Sequence, residues 1–446
     1  MVDIDKRANN SDADLPAGFK MTELGPLPEE WKVVHLSEVF VPVDKKERLV
    51  RIQAGKVYKT LTVKLYAKGI TLREEIDGAK IGTAVLYRTE PNDFVFSKID
   101  ARNGAWGFVP DELGGSLVSG DFPILQLIDT LADRDFIALC LSRPNTWEPL
   151  RDIAVGTTNR RRVQVQELLR ISIPLPPLPE QRAIAHVLRT VQRAKEATER
   201  VIQATRELKK SLMRYLFTYG PVPMEEAERV PLKETEIGLV PEHWEVVRLG
   251  EVVQLRTEVV KPSEVSDDVR YIGLEHIDSG ESQVKRWGCA RDVQSTKNKF
   301  YPGDVLYGKL RPYLDKAVLA EFEGICSTDI LVFKPLGQLE PLYLVNLLHT
   351  PRFIEYASAT TTGVNRPRTS WKAIENFAIP FPPSGEKDDI ARILQAVNKK
   401  LQAEEARKQA LEELFKTLLH NLMTGEIRVK DVVLPNVGEG KGDITN

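Results

Sequence analysis

The sequence contains the same unusual segment twice, and this repeat limits the folds available to the chain. The first copy starts at Ile171 and reads ISIPLPPLPEQRAIAHVL, and the second starts at Phe377 and reads FAIPFPPSGEKDDIARIL. In each copy a short apolar run meets several prolines and then a long stretch that lacks both Pro and Gly. Proline removes a backbone donor and clashes with the preceding turn, so we expect Pro176, Pro177 and Pro179 to mark the start of the first helix rather than to lie inside it.

Both long stretches carry apolar positions at alternating steps of four and three residues, which is the spacing of a coiled coil. The predicted seam of the first helix comprises Val187, Val191, Ala194, Thr198, Val201, Thr205, Leu208, Leu212 and Tyr215. The predicted seam of the second comprises Ile390, Leu394, Val397, Leu401, Glu404, Lys408, Leu411, Phe415, Leu418 and Leu422. A helix of about 38 residues would span roughly 57 Å, more than an ordinary domain diameter. The simpler alternative is a helix that packs only on its own domain.

Four further pairs of similar segments, which we call echoes, occur in the same order in the two halves of the chain. Trp31 recurs as Trp244, Asp93 as Asp304, Ser119 as Ser327 and Asn159 as Asn365. The offset drifts slowly from 213 to 206 residues across these four pairs. Ordered echoes with a drifting offset indicate an internal duplication. Each half is then one domain followed by one long helix, and the paired tryptophans are expected in the core.

Short β-rich runs alternate with helical patterns inside each half, which favours an α+β fold. We predict two globular domains separated by two long antiparallel coiled-coil helices with a pseudo-two-fold repeat. The predicted boundaries are a flexible tail (1–22), the first domain (23–178), the first helix (179–220), linker and second domain (221–384), the second helix (385–425) and a C-terminal tail (426–446).

Composition excludes several classes of protein. The 446 residues carry a formal net charge of −2, so any nucleic-acid surface must be a local patch. Cys140, Cys289 and Cys326 are far apart and unpatterned, which favours free thiols in a reducing cytoplasm. The polar N-terminus lacks the apolar core of a signal peptide, and no apolar run is long enough to cross a membrane.

The motifs resemble those of the specificity subunit of type I restriction-modification enzymes. The resemblance is carried by PLPPLPEQRAIA at the start of the first helix, by GLVPEHWEVVRLGEV, by GDVLYGKLRPY and by LMTGEIRV. It extends from about Glu23 to Val433. The second helix departs from the family pattern, because Lys387 stands where the first copy has Gln181, so the contacts of Gln181 cannot be transferred to it.

The resemblance implies a non-catalytic chain whose two domains are target-recognition domains, each of which reads half of a bipartite DNA sequence. The long helices would set the spacer and dock the modification (methyltransferase) subunits, which bind S-adenosylmethionine. A restriction subunit that uses ATP and Mg²⁺ for translocation and cleavage would join that core. The chain itself would hold no cofactor and no metal.

DNA contact needs Lys and Arg for phosphates, and Arg, Asn or Lys for base edges. The candidate residues lie in Gly- and Thr-rich loops or near strand ends, and most recur in both halves. The first half supplies Lys98, Arg102, Asn159, Arg160, Arg161 and Arg162, and the second supplies Lys309, Arg311, Tyr313, Asn365, Arg366 and Arg368. We expect Lys98 and Arg102 to align near Lys309 and Arg311. A solvated charge cluster or strand-edge ion pairs would give the same pattern.

Other polar residues are weaker candidates. Asn103, Lys297 and Lys299 are predicted to lie in loops. Arg189, Arg193, Arg200 and Arg206 give the first helix a basic face, which suits solvation, partner docking or contact with the DNA spacer.

Two other classes of function compete with DNA specificity. An enzyme is disfavoured, because the sequence has no G-x-G-x-x-G loop, no Walker A motif and no Asn/Asp-Pro-Pro-aromatic tetrapeptide. A non-catalytic helical scaffold or DNA-binding protein without a restriction partner would carry a similar seam, so only the loops distinguish it from a specificity subunit.

Overall fold

The computed structural model describes residues 15–153 and 162–429 and has the α+β architecture that the sequence predicts. The first half contains thirteen strands and six α-helices within that range. They are β1 (Phe19–Thr22), β2 (Gly25–Pro28), β3 (Lys32–His35), α1 (Leu36–Val39), β4 (Phe40–Pro42), β5 (Leu49–Arg51), β6 (Val57–Val63), β7 (Ile70–Asp77), β8 (Val85–Arg88), β9 (Phe94–Phe96), β10 (Trp106–Phe108), β11 (Leu117–Val118), β12 (Ile124–Leu127), α2 (Arg134–Ser142), α3 (Pro144–Trp147), α4 (Leu150–Ile153), α5 (Val165–Leu169), β13 (Ser172–Leu175) and α6 (Leu178–Tyr219).

The second half follows the same plan. Its elements are β14 (Leu232–Thr235), β15 (Gly238–Pro241), β16 (Glu245–Arg248), α7 (Leu249–Val252), β17 (Val253–Leu255), β18 (Val259–Val260), β19 (Arg270–Ile272), β20 (Gly288–Cys289), β21 (Lys297–Phe300), β22 (Val305–Gly308), β23 (Ala317–Leu319), β24 (Gly324–Cys326), β25 (Ile330–Pro335), α8 (Pro341–Leu348), α9 (Pro351–Ala359), α10 (Trp371–Ile374), β26 (Ala378–Phe381) and α11 (Ser384–Thr424).

The sheets confirm the predicted duplication strand by strand. A four-stranded sheet has the order β10-β9-β12-β4 in the first half and β23-β22-β25-β17 in the second. A five-stranded sheet has the order β5-β8-β11-β6-β7 in one half and β18-β21-β24-β19-β20 in the other. Even the parallel pairing recurs, between β11 and β6 and between β24 and β19. Such agreement in order and direction indicates two copies of one fold.

Two short hairpins lie in segments for which the sequence predicts neither helix nor strand. Strand β1 lies in the predicted flexible tail and pairs with β2, and β14 lies in the predicted linker and pairs with β15. Each hairpin turns at a glycine with positive φ, Gly25 (97°) and Gly238 (96°). The Thr22 and Thr235 hydroxyls donate to those glycine carbonyls at 2.7 Å. The hairpins escaped prediction because they are short and polar, so little hydrophobic periodicity marks them.

The chain divides into two compact units, and each takes part of both long helices. The first unit contains residues 1–195 and 410–446, and the second contains residues 196–409. In the first unit, Ile184 and Leu188 of α6 share a core with Leu422 of α11. In the second, Met213 of α6 shares a core with Ile390 of α11. The start of one helix therefore packs with the end of the other in both units.

Ion pairs within the second unit fix the direction of the two helices. Glu199 pairs with Lys408 at 3.0 Å, and Arg206 pairs with Glu405 at 2.8 Å. Residue numbers rise along α6 while their partners fall along α11, so the helices pair antiparallel there, as predicted.

The predicted seam is correct for α11 and for α6 as far as Thr198, which is 2% exposed, but it is rotated by about one residue in the later part of α6. Val201 and Leu208 are 40% and 56% exposed, while Ile202, Met213 and Leu216 are buried. In α11 every predicted seam position is buried or half-buried, including Glu404 and Lys408. Two adjacent stripes of α6 both satisfy the heptad spacing, so only packing against α11 and the domain decides which one faces inward.

Helix α6 starts at Leu178, one residue before its predicted bound, and Pro179 lies inside its first turn, where no proline was expected. The first N–H groups of a helix have no intrahelical partner. A proline there therefore removes no intrahelical hydrogen bond, and its fixed φ suits the helix. The exclusion of proline applies to the helix interior only.

Each unit has a buried Trp–Glu junction that joins its domain to both long helices. The Trp31 indole N–H donates to Glu180 Oε2 of α6 at 3.0 Å, and that of Trp244 donates to Glu386 Oε2 of α11 at 2.8 Å. Both rings are fully buried, which confirms their predicted place in the core. Arg428, just past the end of α11, adds a bidentate contact to Glu180 at 2.7 and 2.9 Å.

The end of the opposite helix lies against each of these tryptophans. A glycine with positive φ follows α11 at Gly425 (73°) and α6 at Gly220 (83°). A Cβ added at Gly425 would lie 2.3 Å from Pro28 and 3.5 Å from the Trp31 ring, and one added at Gly220 would lie 3.3 Å from the Trp244 ring. The junction thus requires glycine both for backbone conformation and for space.

The departure of the second copy at Lys387 has a structural counterpart. Gln181 is fully buried, accepts from the Asp133 backbone N–H at 2.8 Å and donates to the carbonyls of Leu131 (3.2 Å) and Pro176 (2.8 Å). Lys387 is also buried, but its Nζ has no hydrogen-bond partner among the described residues and lies 3.4 Å from the centroid of the Phe381 ring. A cation–π contact therefore replaces three hydrogen bonds.

We expect exchange of these two side chains to have opposite effects. Lys387→Gln should raise the free energy of unfolding of the second unit by about 1–2 kcal/mol, because a buried cation without a hydrogen-bonding partner is costly. Gln181→Lys should lower that of the first unit. Burial lowers the pKa of Lys387, so its cost is greatest below that pKa and is relieved as pH rises towards 10.5. Urea unfolding at pH 7 and pH 10 measures this, and equal stability of Lys387→Gln and wild type at pH 7 would contradict it.

Candidate nucleic-acid interface

The second unit brings together all six of its predicted DNA-binding residues. Thr362 and Arg368 exchange backbone hydrogen bonds at 2.9 and 3.0 Å and close an exposed loop. Gly363 has a φ of +90° and starts the reversal, and Val364 at the tip is 98% exposed. Asn365 and Arg366 lie on this tip and are exposed.

A turn after β22 lies against this loop. Arg311 has a φ of +52°, and its backbone N–H donates to the Pro367 carbonyl at 2.8 Å. Its guanidinium donates to the Asn365 carbonyl at 3.4 Å. The 3₁₀ turn Pro312–Leu314 follows and presents Tyr313, which is 56% exposed. Two cations, an amide and an aromatic ring therefore share one exposed surface of this unit.

The turn is held from behind by a buried polar cluster. Asp315 ends the turn with a φ of +52°, and its carboxylate Oδ1 lies 2.6 Å from Nδ1 of the buried His349. His349 Nε2 lies 3.1 Å from the Glu281 carbonyl, and Lys209 of α6 donates to the Gly280 carbonyl at 2.9 Å. Because His349 is buried and its partners are half-buried, the position of Arg311 and Tyr313 is fixed relative to the domain core.

Arg368 does not point its guanidinium to an open surface. It makes a bidentate ion pair with Asp329, with Nε–Oδ1 and Nη2–Oδ2 distances of 2.8 and 3.0 Å. The backbone of Lys309 bonds to both partners' segments. Its N–H donates to the Asp329 carbonyl, and its carbonyl accepts from the N–H of Thr369, the residue after Arg368. The Arg368 hydrogen bond lowers the pKa of Asp329 and raises that of Arg368. This geometry anchors the loop rather than leaving Arg368 free.

The first unit repeats the ion pair of Arg368 with Asp329, and we call each of these ion pairs an anchor pair. Arg162 makes a bidentate contact with Asp121 at 3.2 and 3.3 Å. The Lys98 N–H donates to the Asp121 carbonyl at 2.9 Å, and the Lys98 carbonyl accepts from Val163 at 2.8 Å. The Arg162 hydrogen bond again lowers the pKa of Asp121. Asn159, Arg160 and Arg161 lie outside the described residues.

Three of the sequence echoes meet at the anchor pairs. Lys98 matches Lys309 at an offset of 211 residues, Asp121 matches Asp329 at 208, and Arg162 matches Arg368 at 206. The alignment expected for Arg102 is corrected, however. At the offset of 211, Arg102 occupies the place of Tyr313, and Asp100 the place of Arg311, in matching 3₁₀ turns.

Other candidates lie apart from these surfaces. Lys297 and Lys299 belong to strand β21 rather than a loop, and Asn103 belongs to a 3₁₀ turn. Of the basic residues on α6, Arg189 pairs with Asp135 and Arg206 pairs with Glu405. Arg193 and Arg200 are exposed.

Sequence reasoning missed one cation at the first anchor pair. Lys45 donates to the Gly120 carbonyl at 3.0 Å, lies 5.1 Å from the Tyr87 ring centroid and helps to lower the pKa of Asp121. It belongs to the charge run DKKER, which has no echo in the second half, so no repeat pointed to it.

Two negative expectations concern the chain as a whole. All three cysteines are free, and Cys140 and Cys326 are buried. Burial raises the pKa of the Cys140 thiol to about 12. Within residues 15–153 and 162–429, no helix combines the length and apolar character that crossing a membrane requires.

Comparison with known proteins identifies the family. The model of the type I restriction modification DNA specificity domain matches residues 28–206 and 241–413, one stretch in each repeat. The type I restriction enzyme MjaVIII specificity subunit of Methanocaldococcus jannaschii is 26% identical over 277 residues, which cover 59% of this chain and 63% of that relative. The putative MjaX specificity subunit of the same organism is 24% identical over 436 residues, which cover 92% of this chain and 97% of the relative.

A solved structure shares the fold. The type I restriction-modification S subunit from M. genitalium superimposes with a TM-score of 0.55 and 16% identity, covering 88% of this chain and 96% of that one. The relatives are specificity subunits by name. The family model alone matches well over half of the residues, once in each copy of the repeat. The chain therefore belongs to the type I restriction-modification DNA specificity family.

Proposed function

We propose that the chain is the DNA specificity subunit of a type I restriction-modification complex and binds a bipartite duplex sequence, one half-site per domain. The observation that carries this proposal is the duplicated surface: each unit has the same anchor pair beside the same 3₁₀ turn. A protein that reads two half-sites needs two equivalent reading surfaces, and a scaffold has no need to preserve them.

The candidate residues divide into three roles in this proposal. Arg311 and Arg366 contact phosphates, because both lie on the exposed surface of the second unit. Asn365 and Tyr313 are exposed on the same loop and turn and contact base edges or sugars. Arg162 and Arg368 hold their loops, with Lys98 and Lys309 beside them. Asn159, Arg160, Arg161 and Arg102 complete the contacts of the first domain.

The long helices set the spacer between half-sites and dock the modification subunits. Antiparallel ion pairs such as Glu199–Lys408 favour a ruler of fixed register. The 42 residues of α6 span roughly 63 Å, which corresponds to about 18 base pairs at 3.4 Å each. S-adenosylmethionine would bind the modification subunits, and ATP and Mg²⁺ the restriction subunit, in a cytoplasmic complex.

The alternative is a helical scaffold or DNA-binding protein without a restriction partner. It would share the helices and the core junctions but would place no constraint on the exposed loop at Val364–Arg366. The exposure of that loop together with the anchoring of its base favours specific DNA binding.

Shortening both helices by one heptad tests the proposal. Deletion of residues 199–205 from α6 and 406–412 from α11 retains the Arg206–Glu405 pair and removes about 10.5 Å of helix, or about three base pairs. We expect the variant to select the same two half-sites with a spacer about three base pairs shorter. Selection from a random duplex pool, with the full chain and its modification subunit, measures both features.

The matched control is substitution of three exposed residues on the same helices by Ala, which changes no length. A wild-type complex that selects no bipartite sequence would refute the proposed function. Altered half-sites with an unchanged spacer would refute the role of the helices alone.

A further inference from the structure

The hairpin β6–β7 of the first unit ends in a tip, residues 64–69, that lies on the turn 101–104. The Tyr66 and Ala67 backbone N–H groups donate to the carbonyls of Asn103 and Gly104 at 2.8 and 2.7 Å. Tyr66 and Ala67 have φ values of +60° and +51°. Consecutive non-glycine residues in the left-handed region are costly and persist only where the surroundings hold them. The tip is therefore fixed in place on the turn.

Glycines on the facing segment make this close approach possible. Gly104 has a φ of +66°, and a Cβ there would lie 3.1 Å from the Trp147 indole. A Cβ on Gly107 would lie 2.9 Å from the Cα of Gly69. Both positions leave no room for a side chain, so the hairpin tip and the turn form one surface.

This surface is basic and aromatic. The Tyr66 side chain is 56% exposed, and its ring lies 5.9 Å from that of Trp147. Arg151 lies over the Trp147 ring at 5.3 Å and donates to the Arg102 carbonyl at 3.4 Å. Lys64 and Lys68 on the tip are exposed. Among the described residues, no carboxylate lies within 4.0 Å of Lys64, Lys68, Arg102 or Arg151.

The second unit uses the equivalent connection differently. The segment between β19 and β20, residues 273–287, packs on α11 instead of ending in a hairpin tip. Gln283 bonds to Gln402 at 2.7 Å, Ser282 to Asn398 at 3.1 Å, and Lys285 pairs with Glu405 at 3.0 Å. The hairpin tip of the first unit is thus a feature of that unit and not of the repeat.

We propose that residues 64–69 form a DNA-contacting element specific to the first domain. Tyr66 contacts a base edge or sugar in a groove of the duplex, and Lys64, Lys68, Arg102 and Arg151 contact flanking phosphates. An exposed aromatic ring among cations without carboxylate partners matches the chemistry of a nucleic-acid surface. The inference rests on the proposed function and adds the element that distinguishes the two half-sites.

Tyr66→Asn provides the test, because Asn tolerates positive φ and removes the ring without adding strain. The full chain with its modification subunit first selects its sequence from a random 60-base-pair duplex pool. We expect Tyr66→Asn to bind that duplex on the order of tenfold more weakly and to relax the selection of one half-site only. Lys64→Ala with Lys68→Ala should reduce the salt dependence of binding by about two phosphate contacts.

Lys59→Ala is the matched control, since Lys59 is a 51% exposed cation of the same hairpin that pairs with Glu75 away from the tip. It should leave both sequence and salt dependence unchanged. Full affinity and selectivity in Tyr66→Asn, with wild type selecting two half-sites, would overturn the hairpin inference and leave the proposed function intact. A wild type without sequence preference would overturn both.

Discussion

Replacing Trp31 or Trp244 by Ala should destabilise the unit that contains it by about 3–5 kcal/mol, the range for removing a large aromatic side chain from a core. Both rings are fully buried and donate to the glutamate that opens a long helix. The Trp31→Ala effect should be the larger, because Glu180 is 5% exposed while the Glu386 side chain is 29% exposed and also contacts His243. A buried carboxylate that loses a donor is penalised more than one near water.

Urea unfolding with amide exchange in each unit measures this loss and locates it. Trp287→Ala is the control, because that ring is 45% exposed and should cost little. Glu180→Gln keeps an acceptor for the Trp31 indole but removes the charge that Arg428 contacts, so its loss should lie between those of the other two variants. Similar losses for Trp31→Ala and Trp287→Ala would show that the junction contributes no special stability.

Arg366→Ala and Arg368→Ala should weaken DNA binding for different reasons, although the two residues are neighbours on one loop. Arg366 is exposed, and its loss should reduce the slope of affinity against salt by about one phosphate contact. Arg368 is engaged with Asp329, and its loss should lower affinity on the order of tenfold while leaving that slope unchanged.

The free protein should show the same distinction. Arg368→Ala should speed exchange of the Thr362 and Arg368 backbone amides, which close the loop, and Arg366→Ala should not. The exchanged pair Arg368→Asp with Asp329→Arg should restore slow exchange. A lower salt slope in Arg368→Ala would mean that Arg368 contacts phosphate and would refute its anchoring role.

The anchor pair should also persist at mildly acidic pH. The Arg368 hydrogen bond holds the pKa of Asp329 below its ordinary value of 3.8. The stabilisation is therefore complete above that ordinary value and is lost only as pH falls through the lowered one. Amide protection in the loop, corrected for intrinsic exchange, should stay constant from about pH 5 to pH 8.

Much of the fold was predictable because the internal duplication can be recognised from repeated segments of the sequence. The Trp31–Trp244 echo predicted two domains, and the proline stops predicted two long helices, which run from Leu178 to Tyr219 and from Ser384 to Thr424. Side-chain spacing also predicted the whole seam of α11. Periodicity and repeats are local or pairwise properties of a sequence, so they survive without knowledge of packing.

The candidate site was predictable by residue type but not by role. The echoes indicated Lys309 and Arg368, yet nothing in the sequence revealed that Asp329 forms an ion pair with the Arg368 guanidinium. Tyr66 had no echo at all, because its hairpin tip belongs to one unit only. A cation that binds DNA and a cation that anchors a loop look alike until a carboxylate from a distant strand is placed beside one of them.

The sequence by itself determined the doubling of the chain, the two long helices and the neighbourhood of the reading surfaces, because each of these leaves a regular pattern along the backbone. Only the tertiary structure decided which stripe of α6 faces inward, which arginines are engaged and how Gly104 and Gly107 admit the hairpin tip. Those outcomes depend on contacts between residues far apart in the chain, and such contacts leave no periodic trace in either partner.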